Sequence, residues 1–184
     1  MSTHHSHNVG NCRVSDLLLE WSGGDETHQV AHAEFGPQFL SSQLITATTL
    51  VVAEPNNACS ALTNSDILSA KVLLIVRGGC SFKTKITNAQ DAGAAAAIVY
   101  NNGGTAVDSM AGSSPTVRIP AVMVTETLGT SLAESIAQGT TTVSLHCQGL
   151  SYHSLPSVFG RLLSCLVLSK LEGQGILAVK AQNR

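Results

Sequence analysis

Hydrophobic and polar positions along the chain change period several times between residues 44 and 145, and each change marks an element. Residues 44–53 are rich in β-branched side chains and stop at Pro55, Asn56 and Asn57, the signature of a strand closed by a turn. Residues 71–76 form a continuous apolar run ended by Arg77, Gly78 and Gly79. An unbroken run of that length fits a strand buried on both faces, as in a parallel or mixed sheet. Ser81 is placed to cap a helix in which Phe82, Ile86, Ala89 and Gly93 fall at i, i+4, i+7 and i+11, with Gly93 as its C′ residue. A second apolar run, 94–100, ends at Asn101, Asn102, Gly103 and Gly104. A loop over 103–118 then passes Asp108, Gly112 and Pro115 to Arg118, long and flexible enough to act as a lip. Residues 120–124 predict a strand. Thr125 predicts a helix cap, with Glu126 in the first turn, Leu128, Leu132 and Ile136 on one face and Gly139 as the stop. Residues 140–145 alternate as a final strand. The order β, β, α, β, β, α, β with short links predicts an α/β domain.

The flanks differ. Residues 1–30 show no sustained period and predict a poorly ordered arm, in which Leu17, Leu18 and Leu19 are an apolar island too short for a signal-peptide core. The cluster His4, His5 and His7 has no partner ligands at metal-site spacing and reads as a polar terminus. Residues 150–184, rich in Ser and Leu, have no assignable fold. Composition narrows the function further. With 10 Lys+Arg against 12 Asp+Glu in 184 residues, bulk charge does not favour nucleic acid or an anionic membrane. Neither 35–53 nor 155–168 is apolar enough to predict a membrane span.

Three segments invite catalytic readings. Gly129, Thr130, Ser131, Leu132 and Ala133 resemble the nucleophile segment of subtilisin-like proteases, but no Asp or His lies in a matching local setting, and the serine falls inside an amphipathic helix. The segment 78–84 runs from strand to helix and contains a Lys-Thr pair. A phosphate loop needs glycine before that lysine, where this chain has Phe82. Cys80, close to Lys83 and Lys85, reads either as a low-pKa thiol at a helix N-terminus or as half of a disulfide with Cys59. The bridge is the favoured reading. Closing that loop of about twenty residues would contribute about 3 kcal/mol and would imply an oxidising compartment.

Residues 72–85 (VLLIVRGGCSFKTK), Asn88 and Ala89, 92–94, 97–102, Cys59 behind Pro55, 119–124, and Gly129 with Leu132 together resemble the protease-associated (PA) domain. The resemblance covers roughly residues 33–147. It implies a three-layer β/β/α swivelling domain with a mixed sheet, flanked by poorly structured tails and not itself catalytic. The expected organisation is an arm over 1–30, a PA domain over 31–149 and a tail over 150–184. Such domains occur in subtilisin-like proteases, aminopeptidases, vacuolar sorting receptors, signal-peptide-peptidase-like proteins and membrane RING ubiquitin ligases. The implied role is binding a peptide or protein ligand or controlling substrate access, without cofactor or metal, in an endomembrane lumen or outside the cell. Cys59 and Cys80 match the cysteine pair of secretory members. Candidate ligand contacts are Arg77, Gly78, Gly79, Asn101, Asn102, Gly103 and Gly104, all leaving strand C-termini. Beyond residue 147 only His153 and Cys165 remain as zinc ligands, too few for a RING. The alternative expectation is therefore a fragment of a PA-bearing protease or PA-transmembrane-RING ligase.

Overall fold

Strand order explains most of the architecture. In the computed structural model, which describes residues 17–37, 45–103, 107 and 109–147, eight strands and two helices follow one another. They are β1 (Leu17–Trp21), β2 (His28–Gln29), β3 (Ala31–His32), β4 (Ile45–Val52), β5 (Val72–Val76), α1 (Phe82–Asp91), β6 (Ala96–Tyr100), β7 (Ala121–Val124), α2 (Glu126–Gln138) and β8 (Thr142–Cys147). The sheet order is β2-β1-β8-β4-β5-β6-β7-β3. Strands β4, β5, β6 and β7 are parallel neighbours. Strand β8 pairs antiparallel with β4 and β1, and β3 pairs antiparallel with β7. The described residues form an α/β domain on a mixed sheet, as the periodicity predicts.

The continuous apolar runs are buried on both faces because each face has its own cover. Leu73, Ile75, Ala97, Val99, Ala121 and Met123 pack with Ile86 and Ala89 of α1. Their strand neighbours Val72, Leu74, Ala96, Ile98, Val122 and Val124 pack with Leu128 and Leu132 of α2 and with Leu17, Leu19, Val143 and Leu145 of β1 and β8. Period-two alternation thus sends successive residues into two different cores. Gly129 lies directly on Tyr100, and a β-carbon there would collide with the tyrosine ring, so α2 can rest on β6 only through glycine.

Both helices start where the sequence places their caps. The Ser81 hydroxyl accepts from Thr84 N and the Thr125 hydroxyl from Leu128 N. Two expectations need correction. Residues 17–30, read as part of a poorly ordered arm, carry β1 and β2. Leu17 and Leu19 point inward while Glu20 faces solvent, and β8 supplies the whole of β1's pairing partner on that side. The alternation covers only five residues, and its partner lies more than a hundred residues away. Part of the expected lip, 103–118, is also anchored. Met110 and Val117 are buried, and Met110 O accepts from Glu34 N. The histidine cluster at residues 4–7, Gly104, Asp108 and the tail over 150–184 lie outside the described residues.

Candidate functional site

The parallel strands end on one edge, and the two predicted loops meet there. Gly78 and Gly79 have φ of +104° and +79°, a left-handed pair that lets the chain leave β5 and enter α1 within a few residues. Arg77 is held on that turn from three sides. Its backbone N donates to Tyr100 O at 2.9 Å, its Nη1 donates to Asn101 Oδ1 at 3.1 Å, and its guanidinium carbon lies 5.6 Å from the centre of the Phe82 ring. Asn101 is buried. Its Oδ1 also accepts from Asn102 N at 2.9 Å, and its own N donates to Val124 O at 3.1 Å. Arg77 and Asn101 are therefore one hydrogen-bonded unit joining the ends of β5, β6 and β7. A β-carbon on Gly78 would stand 3.1 Å from the Asn102 amide nitrogen, so that side chain closes over the turn. Gly79, Asn102 and Gly103 are exposed along the rim.

Behind the rim lies a residue that the sequence reading used only as a neighbour of Cys80. Lys85 is fully buried on α1. Its Nζ donates to Asn57 O at 2.6 Å and to Gly78 O at 2.5 Å, and lies 3.4 Å from Cys59 Sγ. Burial pushes its pKa down from the usual lysine value. Cys59 and Cys80 are joined as a disulfide with Cα atoms 5.7 Å apart, so Cys80 is not a reactive thiol here. The Asn88 amide donates to Ala58 O at 2.8 Å, and Val76 N donates to Asn56 O at 2.9 Å. Ammonium, cystine and amide together fasten the 55–59 loop to the Gly78–Gly79 turn. The signal for Lys85 was its position: residues 82, 85, 86 and 89 follow the i, i+3, i+4, i+7 pattern of a buried helix face.

Ser131 calls for a separate test, because it lines a cavity of about 380 Å³ that also holds His28 and Asp25. Among the described residues no hydrogen bond joins Ser131 to His28 or His28 to Asp25. Ser131 lies in the second turn of α2, away from the helix N-terminus. The three side chains share a wall without the coupled proton path that a nucleophilic serine requires. Among the described residues no group of three or more His, Cys, Asp or Glu could hold a metal ion. Nor is any described helix long and apolar enough to cross a membrane.

These features define a mixed-sheet α/β domain whose strand ends form a glycine-rich, cystine-braced rim. Residues 46–132, just under half of the chain, match the PA domain. It is 51% identical over 90 residues to receptor homology region, transmembrane domain- and RING domain-containing protein 6 of Arabidopsis thaliana, an alignment covering 46% of this chain and 28% of that protein. It is 33% identical over 123 residues to signal peptide peptidase-like 2 of the same plant, covering 64% of this chain and 22% of that protein. Among solved structures, an aminopeptidase from Aneurinibacillus sp. strain AM-1 superposes with a TM-score of 0.54 at 28% identity, over 73% of this chain and 31% of that one. The chain thus spans less than a third of each of these three relatives. The PA domain itself is a non-catalytic module, found in proteases and in PA-transmembrane-RING proteins.

Proposed function

We propose that this PA domain holds an extended peptide or protein segment along the rim formed by Arg77, Gly78, Gly79, Asn101, Asn102 and Gly103, and performs no chemistry on it. The observation that carries this reading is the state of Arg77. One arm of its guanidinium is fixed by Asn101 and its face by Phe82, while its remaining N–H groups have no partner among the described residues. A half-buried, pre-oriented fork of donors beside exposed glycine backbone suits peptide carbonyls or a carboxylate. Little side-chain entropy remains to be lost on binding, because the base of the rim is already braced. The wider setting follows the relatives. The longer protein is a receptor-like PA-transmembrane-RING ligase or a PA-bearing protease, and the 51% identity to the former makes it the preferred parent. The cystine supports an oxidising compartment, the endomembrane lumen or the cell exterior.

The test is selection of peptides from a displayed random library on the full chain, followed by affinity measurement with Arg77→Ala. Loss of the guanidinium's charge-assisted bonds is expected to weaken binding about 10- to 100-fold. Selected peptides that bind the Arg77→Ala variant undiminished would remove the rim from the account.

A further inference from the structure

A second site lies away from the rim, on the cavity between the β1–β2 connection and the first two turns of α2. We infer that this cavity takes the lysine or arginine side chain of a peptide ligand. Its volume, about 380 Å³, falls in the range of small-ligand pockets, and its walls combine Trp21, Asp25, Glu26, His28 and Leu128 with Thr125, Thr127 and Ser131. The indole of Trp21 rests against the Gly23–Gly24 turn, which fixes its orientation. Its Nε1 is buried and has no hydrogen-bond partner among the described residues. Neither Asp25 nor Glu26 has an ion-pair partner there, the one described ion pair being His146 with Glu20 at 3.6 Å.

Charge decides what such a cavity accepts. The N-terminus of α2 carries a partial positive charge of roughly half a unit, which alone would favour an anion. Two carboxylates outweigh it, so the cavity favours a cation. An inorganic cation is poorly served, because no group of three ligating side chains converges among the described residues. A long basic side chain fits each wall in turn. Its methylenes lie along Leu128 and the indole, and its charged head reaches the carboxylates with the ring as a further attraction. This site shares no residue with the rim, so the inference stands apart from the function proposed above.

Trp21 is the only tryptophan of the chain, so the cavity contains its own reporter. The full chain is titrated with acetyl-Ala-Lys-Ala-amide, its arginine counterpart, and the norleucine and glutamate peptides of the same frame, following indole emission and, in parallel, heat. The lysine and arginine peptides are expected to give saturable changes in the millimolar range, with the norleucine and glutamate peptides at least tenfold weaker. The double substitution Asp25→Asn with Glu26→Gln, whose sites are exposed, should weaken the basic peptides at least tenfold while leaving the circular dichroism melt unchanged. Arg77→Ala should leave the titration unaltered. Absence of saturable binding by both readouts would overturn the assignment. So would equal binding of the norleucine peptide, wild-type affinity in the double variant, or loss of the signal in Arg77→Ala.

Discussion

Lys85→Met tests whether the buried ammonium braces the rim. Methionine keeps an unbranched, flexible side chain of similar reach, so packing along α1 changes little. What disappears is the donor shared by Asn57 O and Gly78 O. The sulfur beside them belongs to a cystine and carries no hydrogen, so it cannot replace the ammonium. Two carbonyls left without donors cost about 1–3 kcal/mol each, or about 2–6 kcal/mol together. Relief works the other way, since burial already disfavours the charged amine and lowers its pKa. The net loss therefore falls in the lower half of that range, about 2–3 kcal/mol. Urea unfolding at neutral pH, followed by circular dichroism and Trp21 emission, reads it as a midpoint about 1 M lower or more. Lys83→Met is the control, because Lys83 is exposed two residues earlier on α1 and should stay within about 0.5 kcal/mol of the parent. Equal midpoints for the two variants would refute the bracing role.

Other changes test other parts of the domain. Ile86→Ala empties a fully buried position between α1 and the sheet and should cost about 2–5 kcal/mol in the same urea assay. Gly79→Val forces a β-branched residue to φ +79° with its β-carbon 3.1 Å from Cys59 Sγ, so a lowered melting temperature is expected. Tyr100 has its pKa raised, chiefly by burial and further by the Glu126 carboxylate. Between the unfolded value near 10 and the raised folded one, the unfolded chain has lost this proton and the folded chain keeps it. Stability from this group is thus whole below pH 10 and falls as pH climbs through that window. Ultraviolet titration of tyrosinate should show one tyrosine ionising late, and Glu126→Gln should bring its midpoint down.

The central elements were legible because their signals are local. The caps at Ser81 and Thr125, the apolar runs of β5 and β6, and the stripes of both helices each lie within a dozen residues and appear in the structure at those places. Strands β2 and β3 have two residues each and exist only through their neighbours, so no window of sequence could reveal them. The site divides along the same line. Glycines after strands announced the turn at 78–79, whereas the Arg77–Asn101 bond joins residues 24 positions apart and depends on β5 and β6 pairing in register. Lys85 was hidden for a chemical reason. A lysine on a helix stripe reads as solvated until two main-chain carbonyls are found waiting for it.

The most direct test of the proposed peptide-binding role of the rim is backbone amide shift mapping of the full chain with a selected peptide, with the peptide's mass checked after the experiment. The account predicts perturbations gathered at 56–59, 77–80 and 101–103, weakened in Arg77→Ala, with the peptide recovered intact. Perturbations confined to the outer face of α1, or a peptide recovered in pieces, would contradict it.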